Sequence, residues 1–245
     1  MSKNVYFMNI STSAVETVNE VLDINFAWAC ESLNLSASKK EAQKNLETIR
    51  AAADLGEATR EQVLAAQNAI NIIDMKRKAI NSWKKSMLMD SKDENKNINH
   101  GLYHAMGITA DLIDKWAECR NSGTWGKWNQ AIRAMLADVY EMDIKNDKLV
   151  ARFASQLEHA IGNTSGSISD IAKGVLLKDK SSVAKFAEVF ASTMATYMAK
   201  TCQSIVIPSK ELFNGSIQYD KNWKVIGCKV TPVTEEESAT ENQGE

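Results

Sequence analysis

Proline and closely spaced cysteine are what this sequence most conspicuously lacks. Two prolines and eleven glycines in 245 residues leave long stretches with no obligatory break, which favours helix. The four cysteines, Cys30, Cys119, Cys202 and Cys228, stand far apart. The absence of any CxxC pair excludes a zinc ribbon and a thioredoxin-like redox motif. We read them as reduced thiols of a cytoplasmic protein, most of them serving as small core residues. Long hydrophobic runs are missing too. The most apolar window, 183–207, carries Lys185, Glu188 and Lys200 at helical intervals, so no membrane is expected as a partner. The apolar stretch at 5–10 is too short for a secretory signal.

Charge of one sign is missing from the body and concentrated at the end. The chain has 29 basic and 31 acidic side chains, net −2, but residues 231–245 hold five glutamates and no base. The preceding 230 residues are therefore at +3, far below the basic footprint of a dedicated duplex-DNA binder. Arginine is scarce, six against 23 lysines, a bias usual in AT-rich coding sequence and consistent with a microbial or phage source.

What is present is helical periodicity. Capping boxes at Ser13–Glu16, Ser38–Glu41 and Thr59–Gln62 predict helices over about 13–35, 38–54 and 59–89, with Gly56 as a stop. In the last, Val63, Ala66, Ile70, Ile73, Ile80 and Met87 fall near heptad spacing, but Arg77 and Lys84 interrupt the seam after two heptads. Residues 90–99 are polar and form the expected hinge. Beyond it, helices are expected over 101–120 with a kink at Gly107, 125–143, 147–161, 168–177 and 181–204. The stripe Trp125, Trp128, Ile132, Met135, Leu136 and Val139 marks one buried face. GNTSGS at 162–167 reads as a loop. Ile217–Tyr219 and Trp223–Val230 flank a turn and read as a β-hairpin, with residues 3–10 as the expected third strand. The fold class is thus mainly α: a bundle of seven or eight helices with a small antiparallel β element from the N-terminal strand and the C-terminal hairpin. Domain expectations are 1–92, 98–230 and a disordered acidic tail at 231–245, the first two able to share one core.

Few groups point to chemistry. His100 and His104, four apart, would share a helix face as a metal pair requires, but HGLYH lacks the glutamate of a metalloprotease helix. A third ligand would have to come from Asp111, Asp114 or His159. SxxK occurs at Ser82–Lys85 and Ser182–Lys185, both inside amphipathic helices where no strained elbow exposes a nucleophile. GNTSGS could offer backbone N–H groups to an anion, yet it lacks the Lys-Ser/Thr ending of a P-loop. No cofactor is expected.

Two surfaces suggest binding. Lys76, Arg77, Lys78, Trp83, Lys84 and Lys85, with Trp125 and Lys127, interleave cations and stacking rings as a single-stranded nucleic-acid surface does. Ala187, Ala191, Ala195 and Ala199 repeat every fourth residue, a seam that lets another helix approach closely. The expected function is a non-enzymatic helical assembly or interaction protein. It would associate with itself or another helical protein; a phage or mobile-element structural or accessory role is one version of it. The alternatives are a single-stranded nucleic-acid binder and, third, a metal-dependent enzyme.

Overall fold

The computed structural model describes residues 10–89, 101–142, 144, 147–165, 167–200 and 202–234. All of the expected strand at 3–10 except Ile10, the hinge at 90–99 with its domain boundary, His100 and the tail from 235 lie outside these residues. Among the described residues the chain forms eight helices and one two-stranded sheet. These are α1 (Thr12–Asp54), α2 (Arg60–Leu88), α3 (Leu102–Ala105), α4 (Ala110–Ser122), α5 (Trp125–Tyr140), α6 (Asp147–Ser165), α7 (Ile168–Leu176), α8 (Lys180–Ala199), β1 (Phe213–Tyr219) and β2 (Val225–Pro232). None of these helices is long and apolar enough to cross a membrane.

Local chemistry explains most of the boundaries. α1 starts one residue before Ser13, because Ser11 is the cap: its Oγ accepts from the N–H of Ala14 at 3.3 Å. The break expected at Ser38 is absent and α1 runs on for 43 residues. No glycine or proline stands in that stretch, and Ser36 bonds back to the Ser32 carbonyl at 2.7 Å, within the helix. α1 ends where expected. Gly56, at φ 77°, donates to Ala53 and Glu57 donates to Ala52, the paired bonds of a Schellman stop. Thr59 and Gln62 form the reciprocal capping box of α2, at 2.7 and 3.3 Å. Gly107, at φ 86°, divides the expected helix 101–120 into α3 and α4, and Thr109 caps the second piece. The expected loop at 162–167 is a correction: α6 continues helically to Ser165, and only then does Ser167 cap α7.

The described residues group into two compact units, one of residues up to Leu22 with Lys85–Ile207, the other of Asp23–Lys84 with Pro208 onward. The first unit has an aromatic core. Trp116 lies 4.4 Å from Phe186, and Phe153 meets Phe190 edge-on at 5.6 Å. Tyr140 is wholly buried; its hydroxyl donates to the Met106 carbonyl at 3.1 Å. Gly174 lets α7 approach α8, since a Cβ there would stand 2.0 Å from Ser182 Oγ.

The second unit packs the hairpin on α1 and α2. Its core is Ala27, Leu35, Ile80, Ile217 and Val225, with Trp28 and Trp83 half-buried against it. Gly215 sits where a Cβ would come within 2.9 Å of the Ala27 backbone. Farther along, Leu46, Ala66 and Ile70 form a second, small cluster, braced by Lys39 on Asp74 at 2.6 Å. The strands pair from Phe213↔Pro232 to Tyr219↔Val225 with a bulge between Gln218 and Tyr219. The ladder is thus longer than expected at its open end, reaching Thr231 and Pro232, and Trp223 belongs to the turn rather than to β2. Asp220 closes that turn by accepting from the N–H groups of Asn222 and Lys224 at 2.8 and 2.9 Å.

Candidate functional site

In the first unit, one face of α6 is the floor of a cleft of about 560 Å³, within the range of small-molecule sites. The floor is made of small residues at helical spacing, Ala151, Ala154, Ser155 and Gly162, with Glu158 and His159 between them. Trp125 and Asn129 of α5, Arg120 of α4 and Ile168 of α7 complete the walls. Gly123 ends α4 and Thr124 begins α5, which turns Arg120 and Trp125 toward each other: the guanidinium carbon lies 5.8 Å from the indole centroid.

The polar groups of the cleft are held from behind. The Trp116 indole N–H, fully buried, donates to Glu158 Oε1 at 2.6 Å. The other carboxylate oxygen, Oε2, faces Arg120 Nε at 3.8 Å, longer than a hydrogen bond. The Asn163 amide pairs with His159 Nε2 at 3.1 Å. Arg120 and Glu158 are thus opposite charges, side by side, with hydrogen-bonding capacity left over.

The residues singled out from sequence are spread over both units. Trp125 is half-buried in the cleft wall, and Lys127 is exposed. On α2, Lys76 lies 4.2 Å above the Trp223 ring and Lys84 lies 3.9 Å above Trp28, while Trp83 packs on the hairpin core. Arg77, Lys78 and Lys85 are exposed. Ala187, Ala191 and Ala195 are buried at 0–2% exposure within the first unit's own core, and Ala199 is half-buried. His104 is exposed on α3. Of the other ligands considered, Asp114 pairs with Lys178 and His159 lies in the cleft. Among the described residues no three histidine, cysteine, aspartate or glutamate side chains gather as a metal site would need.

Two features escaped the sequence reading. One is the cleft, whose signal was the run of small residues at 151, 154, 155 and 162. The other is the outward face of α2. Leu64 is 53% and Met75 49% exposed, and Asn68 and Asn71 between them are exposed as well. At 100° per residue this stripe lies opposite the buried Ala66 and Ile70.

The fold defines a mainly helical protein with a small antiparallel hairpin. Compared with protein-family models, with curated proteins and with solved structures, the chain matches none.

Proposed function

We propose that this is a non-enzymatic helical interaction protein that associates with a second copy of itself through the outer stripe of α2. The observation that carries this reading is the symmetry of the exposed residues. Glu61, Leu64, Asn68, Asn71, Met75, Lys78 and Ser82 follow alternating steps of three and four over three heptads, and all are exposed. A two-fold axis midway between Asn68 and Asn71 pairs two copies of the stripe antiparallel. It sets Leu64 against Met75, Asn68 against Asn71 and Glu61 against Lys78. Apolar meets apolar, amide meets amide and acid meets base, the self-complementarity an isologous contact requires. Between Glu61 and Lys78 the stripe carries no charge, which is unusual for a solvated helix face.

With only two apolar residues per copy at its centre, the contact is a weak, reversible one. Sedimentation equilibrium tests it. The expected result is a monomer–dimer equilibrium at micromolar concentration that Leu64→Glu shifts to monomer without changing helix content. A protein still monomeric at about 100 μM, a concentration that populates any dimer tighter than about 5.5 kcal/mol, contradicts the reading.

A second reading, single-stranded nucleic-acid binding, draws on the hairpin turn. Trp223 is held in the left-handed region at φ 62°, a costly conformation for a bulky residue, with Tyr219 edge-on at 6.2 Å and Lys76 over its face. The chain's own lysines already occupy the faces of Trp28 and Trp223, which is why this reading comes second. Salt-dependent binding of an oligonucleotide, weakened by Trp223→Ala, supports it; no binding at low salt removes it.

A further inference from the structure

We infer that the α6 cleft binds a small zwitterion, specifically a free α-amino acid with an apolar, ring-bearing side chain. A ligand that is simply anionic would find Arg120 but also meet Glu158; one that is simply cationic would find Glu158 but also meet Arg120. The two side chains stand 3.8 Å apart and are not hydrogen-bonded to each other, so each keeps capacity for a partner. Among the described residues, the terminal amino groups of Arg120 have no hydrogen-bond acceptor. Its fork geometry suits a carboxylate. Among the described residues Glu158 Oε2 has only the distant Arg120 Nε, whereas Oε1 is already held by Trp116. A carboxylate and an ammonium on one ligand carbon, a few ångströms apart, match this pair as neither charge alone does.

The rest of the cleft sets the side chain. Ala151, Ala154 and Gly162 give a shallow apolar floor, and the half-buried Trp125 indole, with the Arg120 guanidinium carbon 5.8 Å over its ring, stands as a wall beside it. A ring lying between floor and wall buries both faces, and offset ring pairs add to the area buried. The Asn129 carboxamide, also lining the cleft, offers both a donor and an acceptor at the polar end. Glu158 is fixed in advance by the Trp116 N–H, so little ordering of that carboxylate is lost on binding. The inference does not depend on the self-association proposed above.

The test is calorimetric titration of the full chain with L-phenylalanine, N-acetyl-L-phenylalanine and L-phenylalaninamide. The expected result is binding of the free amino acid, with each blocked form, lacking one charge, weaker by about tenfold or more. Glu158→Gln keeps an acceptor for the Trp116 indole, so the fold is retained. It should weaken L-phenylalanine binding and remove the preference over the N-acetyl form. Gly162→Leu, which fills the floor from a helical position, should abolish binding of all three. The inference is overturned if L-phenylalanine gives no heat at millimolar concentration. It is equally overturned if the N-acetyl form binds as well as the free amino acid, or if Gly162→Leu leaves binding unchanged.

Discussion

Trp116 donates its indole N–H to Glu158 Oε1 at 2.6 Å, whereas Trp128, as completely buried, has no acceptor for its indole N–H among the described residues. The same side chain is therefore satisfied at one position and orphaned at the other. Both lie in the first unit's core, so the comparison isolates the hydrogen bond. Trp116→Phe loses a bond to a charged acceptor, whereas Trp128→Phe removes an unpaired buried donor. Both lose packing area. Trp116→Phe is expected to cost about 1–2 kcal/mol more than Trp128→Phe. Urea unfolding of the two variants, compared at equal slope, measures the difference.

Two glycines with positive φ separate conformational strain from crowding. Gly56, at φ 77°, has open space where a Cβ would go. Gly56→Ala should therefore cost only the left-handed penalty, roughly 1–2 kcal/mol. Gly107, at φ 86°, would set its Cβ 2.6 Å from Met135 Cγ, and Met135 is buried. Gly107→Ala should cost the same penalty and a further increment for displacing that side chain. Equal losses in the two variants, read by chemical unfolding, would show that Met135 moves aside freely.

Tyr219 supplies a pH dependence. Burial pushes its phenol above the usual tyrosine value, and the hydrogen bond it donates to Glu31, at 2.8 Å, together with that carboxylate's charge, pushes it further. A folded pKa above the unfolded one favours the protonated form. Its contribution to stability is full below the unfolded value near pH 10 and is lost as pH rises through the folded value. Glu31→Gln should bring the ionisation of one tyrosine to lower pH. Tyr140, raised by burial alone, should be unmoved. Ultraviolet titration of the phenolates tells the two apart.

The helices were legible in the sequence wherever a local device fixes them. Thr59 with Gln62 and the stop at Gly56 need only neighbours within a turn, and both are read from residue types alone. Ser38 with Glu41 has the same letters as a capping box but lies inside α1. A serine becomes a cap only where the chain before it leaves the helix, and between Leu35 and Ser38 nothing forces it to leave. The cleft was not legible for a different reason. Arg120, Trp125 and Glu158 come from three helices, and their meeting depends on how those helices pack, which spacing along one helix does not encode. By sequence Trp125 reads as part of a basic–aromatic surface; it lines the cleft because α5 begins immediately after the turn at Gly123 and Thr124. The outer stripe of α2 was in plain view as Leu64, Asn68, Asn71 and Met75. The apolar seam on the other face, Val63 to Ile80, is the stronger pattern and masks it.

The most direct test of self-association is a charge exchange at the ends of that stripe. In the antiparallel arrangement Glu61 of one copy faces Lys78 of the other. Glu61→Lys alone, or Lys78→Glu alone, places like charges together at both ends and should weaken the dimer. The double variant Glu61→Lys with Lys78→Glu restores opposite charges at both ends. Sedimentation equilibrium at low salt, where screening is least, reads all four proteins. The predicted result is weakening in each single variant and recovery to the parental association constant in the double. Single variants that associate as tightly as the parent, or a double variant that stays as weak as the singles, would contradict the account.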